Sequence, residues 1–466
     1  MDIPPADLAR IRDLYTRGLY RQAHAAAAAL GPVRAWAGTA ARLLGGRLAI
    51  QLGAPKLGRR LHLAGFRATP AHPEAIYYHA RYRMERFGPL SAWRFMRDHP
   101  DWSDAPPELH ADWVSLAGFV AARLRDFDRA DRLLNRAEGI APDRPWPCIE
   151  RSSAYEFADR LDDALAAAGR SLALHPWFRP GVQSFAHVLL RLGRDREALD
   201  FLTEADGRIE SGLVAAQLAA LQTDLGHHAD ARRTLDRYAE LSPLLEPELA
   251  KWLAARRADA TYFLGDFAAA AGYAREVKEA FFDRFAGRLD EHRSAGGEPP
   301  APAAPRAIRL TLPPGPAQTV YDLLGRFWNH PLPGGAEGGP PADGLPDAAE
   351  RTRAEAAGWV AREFTLALGA AVELVGRGVP FVFTLVEAGF SQPRLCVGAD
   401  PVRGTVAVVD GHDRRPVDAP LDALVERFAR GAWPWCRPTG RGRWRTSRRS
   451  PTGRPGSACT PCRSRS

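Results

Sequence analysis

The sequence predicts a multidomain chain: an all-α solenoid of helical hairpins, then a small α+β domain, then a disordered tail. Three observations carry that prediction. From residue 8 to about 292 the chain is rich in Ala, Leu and Arg with helical periodicity, and Gly, Asp or Pro interrupts it about every 15 residues. The Pro/Ala/Gly stretch "RSAGGEPPAPAAPR", residues 293–306, has the composition of a semi-stiff linker, and apolar runs of strand type come after it. From Arg437 onward there are nine arginines and no acidic residue.

The helical interruptions repeat. A turn followed by alanine occurs as "RDFDRA" ending at Ala130, "RLDDA" at Ala164, "GRDREA" at Ala198 and "GHHADA" at Ala231, at intervals of 34, 34 and 33 residues. Twelve residues after three of these alanines stands a proline, Pro142, Pro176 or Pro243, where a second helix has to stop. Looser copies end at Ala23, near Leu57, at Ala92 and at Ala270. Residues 1–292 therefore read as a helix-turn-helix array, clearest over about 111–244.

This pattern resembles the tetratricopeptide repeat family, in which a small residue at the alanine position lets two helices approach closely. The resemblance implies a concave face lined by first helices that takes a protein or peptide ligand. Its register places Asp112, Phe119, Arg123, Trp146, Glu156, Gln183, His187 and Arg191 on that face. Trp177, in the His-Pro-Trp turn that ends a second helix, is expected to cap a repeat core.

Beyond the linker the periodicity changes. The stretch "LTLPPGPAQTVYDLLGRFW" is a Pro/Gly-rich loop entering an amphipathic helix that ends on Phe327-Trp328. A helical segment, "DAAERTRAEAAGWVAREF", precedes "VPFVFTLVE" and "LCVGADPVRGTVAVVD", which read as strands with a Pro-Val-Arg-Gly hairpin turn.

Residues 307–435 resemble the papain-like cysteine peptidases that process bacteriocin leaders, family C thirty-nine. The likeness rests on the helix ending in "RFW", on "RGVPFVFTLVE" and on "VGADPVRGTVAVVD". That chemistry requires a thiolate, an imidazole to activate it and a group to orient the imidazole. Counting from the shared motifs, the resemblance puts the cysteine at Pro316, the histidine at Gln392, the orienting acid at Asp410 and the oxyanion glutamine at Thr311. Three of the four are substituted, and a proline at 316 also lacks the backbone N–H that an oxyanion hole uses. The domain is expected to be a non-catalytic relative. The rival is a cysteine peptidase or amidase with a rearranged site built on Cys396, His412 or Cys436; Cys396 lies in a strand where a thiol is expected to be inert core.

Composition limits the remaining classes. The chain has 466 residues, 45% hydrophobic and 25% charged, which is ordinary for two or three globular domains. No apolar run reaches membrane-spanning length, and the N-terminus lacks a signal peptide's basic and apolar regions, so a cytoplasmic location is expected. Five scattered cysteines show no disulfide framework. The net charge of +8 includes nine positive charges from the tail, which leaves the first 436 residues at −1. Residues 436–466 read either as a disordered basic arm binding nucleic acid or as the product of a GC-rich coding sequence translated out of frame; the second reading is preferred, so nucleic acid is not the expected partner. Cys459 and Cys462 have zinc or redox spacing but no second pair. No metal or cofactor is expected.

Overall fold

The computed structural model describes residues 1–99, 102, 104–294, 320–330, 352, 354–361, 364, 366–387, 390–409, 416–427 and 429–436. The chain divides into two compact units, one of Met1–Leu264 and one beginning at Gly265.

Seven antiparallel hairpins build the first unit: α1 (Pro5–Thr16) with α2 (Tyr20–Ala28), α3 (Thr39–Gln51) with α4 (Pro55–Ala68), α5 (Pro73–Phe87) with α6 (Pro89–Arg97), α7 (Pro107–Arg123) with α8 (Phe127–Ile140), α9 (Pro145–Phe157) with α10 (Leu161–Leu174), α11 (Arg179–Arg191) with α12 (Asp195–Arg208), and α13 (Gly212–Asp224) with α14 (His228–Leu241). Helix α15 (Pro247–Phe263) follows. Proline in the first turn starts α5, α7, α9, α11 and α15, where its missing N–H costs nothing.

Each hairpin turn uses one residue in the left-handed region. Glycine supplies it at Gly18, Gly53, Gly88, Gly193 and Gly226, whereas Arg125 and Asp159 adopt φ of 65° and 57° at the same position. The following N–H then reaches back to close the helix, as from Asp126 to the Ala121 carbonyl at 3.0 Å and from Arg194 to that of Leu189 at 2.9 Å.

The small residue of the repeat occupies the fourth position of every second helix. Ala23, Ala92, Ala130, Ala164, Ala198 and Ala231 are all buried there. In α4 the position falls on Gly58 rather than Leu57: a Cβ at Gly58 would lie 2.5 Å from Ile50 Cγ1 and 2.6 Å from the Gly46 carbonyl oxygen. Leu57 is only partly buried. The α3–α4 crossing is so close that even alanine is too large, which hides this repeat from an alanine-based search. The unit is thus a tetratricopeptide-like solenoid.

The first two hairpins also dock on loops far along the chain. Gly18 accepts the Glu210 N–H at 3.2 Å, and the Glu210 carboxylate receives the Arg21 N–H at 2.9 Å and the Gln22 N–H at 3.4 Å, capping α2. Leu52 and Gly53 accept the N–H groups of Leu244 and Glu246 at 3.0 and 2.9 Å. These contacts close the array on itself.

The second unit begins with α16 (Phe267–Val277), whose fourth residue, Ala270, is again buried, and which packs on α17 (Ala280–Ser294). Sequence periodicity groups these helices with the array; packing groups them with the small sheet. Arg288 of α17 donates to the carbonyls of Val402 and Arg403 at 2.6 and 2.7 Å. Then come α18 (Val320–Phe327), β1 (Val360–Ala361), α19 (Leu368–Gly376), β2 (Phe381–Glu387), β3 (Phe390–Asp400), β4 (Thr405–Val409), β5 (Val417–Pro420), α20 (Leu421–Arg427) and β6 (Ala429–Cys436). The sheet is antiparallel throughout, ordered β1-β6-β2-β3-β4-β5. The Pro-Val-Arg-Gly turn forms between β3 and β4, closed by Asp400, whose Oδ1 accepts from Val402 and Arg403 N–H at 3.0 and 2.9 Å. The helix expected to run on to Phe364 stops earlier, because Gly358 takes a φ of 84° and Val360-Ala361 pair with Cys436 and Trp435. Phe381, Val382 and Phe383 are all buried, so the sheet centre is covered on both faces, with α18 and α19 packed against β3. The linker proper, residues 295–306, and the tail from residue 437 lie outside the described residues.

Candidate ligand-binding surfaces of the helical array

The eight residues assigned to the concave face fall into two groups. Five form a strip across successive first helices. Phe119 of α7 meets Phe157 of α9 at 5.8 Å between ring centroids, and Arg123 lies 5.1 Å over the same ring. Glu156 of α9 accepts from His187 Nε2 at 2.8 Å and from Arg191 Nη1 at 3.4 Å, both on α11. His187 and Arg191 are about half exposed, so this strip faces solvent with aromatic and charged groups side by side. Each contact links neighbouring first helices and holds their spacing.

Asp112 and Trp146 belong elsewhere, on the wall of a cavity of about 470 Å³. Asp112 is buried and takes both arms of Arg144, Nε to Oδ1 at 2.9 Å and Nη2 to Oδ2 at 2.5 Å. Arg81 of α5 sits 5.0 Å over the Trp146 ring, and Phe178 meets that ring edge-on at 5.8 Å. Gln183 stands just behind, accepting from Arg179 at 2.5 Å and linked through Gln217 to α13. Trp177 stacks toward Phe201 and packs on the α11–α13 core, and it also lines the cavity.

The cavity wall brings the starts of α9 and α11 opposite α3, α4 and α5 and the α1–α2 turn. Seven of its residues are arginines and two, Glu85 and Asp112, are acidic. Arg81 donates to Glu150 at 2.9 Å and to Tyr77 Oη at 3.2 Å. Burial penalises its charge, but Tyr77 and Glu150 outweigh that penalty and raise its pKa, so the guanidinium stays charged. Arg47 lies 4.4 Å over Tyr15 and pairs with Glu74 at 3.5 Å. Burial pushes the Tyr77 phenol up to about 12, so it remains neutral while its oxygen accepts from Arg81. Buried His62, with Nε2–H donating to the Leu43 carbonyl at 3.2 Å, is pushed down to about 4 by burial and is neutral near pH 7.

Sequence reasoning missed most of this wall. A signal was present in "YYHARYR", which puts Tyr77 and Arg81, and Tyr78 and Tyr82, one helical turn apart. What it could not reveal is that α1–α4 fold back to face the later helices.

In the second unit Pro316, Thr311, Asp410 and His412 lie outside the described residues. Gln392 is a β3 residue opposite Leu385 on β2. Cys396 is buried in β3, donates Sγ–H to the Gly398 carbonyl at 3.3 Å, and is pushed up to about 12 by burial. At neutral pH it is a thiol, not a thiolate. The backbone of Cys436 ends β6. Cys459 and Cys462 lie outside the described residues.

No protein-family model matches the chain, and no curated protein does. Among solved structures, a chain of the APC/C Cut9–Hcn1 hetero-tetramer aligns over 60% of this chain and 54% of its own, at 12% identity and a TM-score of 0.39. The TPR protein TTC0263 of Thermus thermophilus aligns over 40% of this chain and 99% of its own, at 20% identity and a TM-score of 0.34. Yeast Tom70 aligns over 55% and 65%, at 12% identity and a TM-score of 0.37. This chain thus spans about half the length of the Cut9–Hcn1 chain. The repeat assignment stands on the helix register and the buried small residues at the helix crossings. No helix among the described residues is long and apolar enough to cross a membrane.

Proposed function

We propose that the protein is a cytoplasmic adaptor whose repeat array, residues 1–292, holds a protein or peptide ligand, and whose residues 307–435 form a non-catalytic relative of the papain-like peptidases. The observation that carries the first half is the solvent-facing strip of Phe119, Arg123, Glu156, His187 and Arg191, spread over three consecutive first helices. Aromatic rings beside ionic groups in a shallow, continuous row suit an extended peptide better than a small molecule. For the second half, support comes from a helix ending on Phe327-Trp328 packed beside an antiparallel sheet, and from a buried Cys396 that is protonated at neutral pH.

The reading is tested by selecting peptides from a displayed library on the full chain and titrating the enriched sequences by fluorescence polarisation. Glu156→Ala and Arg123→Ala should each weaken binding about tenfold, the worth of one charge-assisted contact. Enriched peptides that bind both variants as well as the natural protein would remove the strip from the ligand site.

A further inference from the structure

The cavity between α3–α5 and the starts of α9 and α11 is a different site from the peptide strip. Its volume, about 470 Å³, falls in the range of small-molecule pockets. Its chemistry is that of guanidinium groups placed over rings: Arg47 over Tyr15, Arg81 over Trp146, and Arg208 at 5.7 Å over Trp177. Five of the seven arginines of the wall have carboxylate partners: Asp13 for Arg17, Glu74 for Arg47, Glu150 for Arg81, Asp112 for Arg144 and Glu204 for Arg208. Those pairs fix the wall and leave its excess charge with Arg59 and Arg179.

Arg179 is the exception that points to a ligand. It is half-buried, and its side-chain bond goes to a neutral group, the Gln183 amide; among the described residues no carboxylate lies within ion-pair distance. Its Nε is buried with no hydrogen-bond partner. It is also the first residue of α11, at the positive end of the helix dipole, where a cation is disfavoured and an anion favoured. Arg144, at the start of α9, stands in the same unfavourable place and is compensated by Asp112. Arg179 has no such acid. Exposed Arg59 adds a second cation to the wall, against the single exposed acid Glu85.

We propose that this cavity binds a small organic anion carrying a planar ring, of mononucleotide size, with the anionic group on Arg179 at the start of α11 and the ring among Trp146, Trp177 and the α5 tyrosines. Ring closure by Glu210 and Glu246 makes the site, because an open array would leave the α11 end facing solvent. A planar ring fits where the wall already places guanidinium groups over aromatic rings, and the anion supplies the charge that α11 and Arg179 lack.

Isothermal titration of the full chain with AMP, phenyl phosphate, adenosine and inorganic phosphate tests the proposal. AMP or phenyl phosphate should bind one per chain, with adenosine and inorganic phosphate each at least about tenfold weaker, since each lacks one of the two recognised parts. Arg179→Gln should lose about tenfold in affinity with an unchanged circular dichroism spectrum. If that variant misfolds, exposed Arg59→Gln gives the second readout, a smaller loss in the same direction. Glu156→Ala, which weakens peptide binding, should leave anion binding unchanged, so the two sites fail independently. Failure of all four compounds to saturate, or equal binding by natural protein and both arginine variants, would overturn the proposal. So would an acidic octapeptide that binds the cavity while AMP and phenyl phosphate do not.

Discussion

The Glu246 carboxylate holds the start of α4: Oε1 accepts the Leu57 N–H at 2.9 Å, while Oε2 accepts the Lys56 N–H at 3.1 Å. A capping group normally comes from the residue just before a helix. Here it arrives from the loop before α15, across a sequence separation of 189 residues for Leu57. The same device recurs where Glu210 caps α2. Two long-range caps therefore fix the first hairpins against the later loops and create the cavity wall.

Glu246→Ala and Glu210→Ala should each cost about 1 kcal/mol, the usual worth of a helix cap, and speed hydrogen exchange in α2 and α4 more than in α9. Calorimetry with mass-resolved exchange checks both. Uniform exchange changes along the array would mean that the caps do not close it.

Ala164→Leu should destabilise by about 1 to 3 kcal/mol, because the fourth position of α10 is fully buried against α9. Gly58→Ala should also be destabilising, since the added Cβ would meet Ile50 and the Gly46 carbonyl at clash distance. Urea titration measures each. An unchanged midpoint for either would break the helix register.

Stability should fall on acidification in a window that His62 shares with His79, which burial also lowers to about 4. The folded pKa of His62, about 4, lies below its ordinary value of 6.5, so between these values the unfolded chain binds more protons. The stability present above pH 6.5 is lost as pH falls toward 4, by about 3 kcal/mol for this group. His62→Gln should flatten that part of the stability profile by its own share. A natural protein with constant stability across the window would contradict a buried neutral imidazole.

Cys396 should resist alkylation in the native state and react only after denaturation, because burial keeps it protonated. Buried Cys148, its pKa also raised by burial, should behave alike. Peptide mapping after brief labelling distinguishes them from exposed thiols. Fast, stoichiometric labelling of Cys396 would favour the rearranged-peptidase reading instead.

The hairpin array, the repeat register and the strands around the Pro-Val-Arg-Gly turn were legible from the chain alone. They obey local rules: the period of apolar positions, small residues where helices cross, prolines where they stop, and alternation in a sheet. Ala164 and Ala198 could be read because a helix crossing constrains a residue within its own hairpin. Gly58 could not, since its size reflects how closely Gly46 approaches it. Which first-helix residues lie together on one surface depends on long-range packing. Asp112 and Phe119 lie on the same helix, yet one lines the cavity and the other the exposed strip. Their separation depends on Glu210 and Glu246 meeting helix starts some 190 residues away, and no local pattern encodes a contact at that separation.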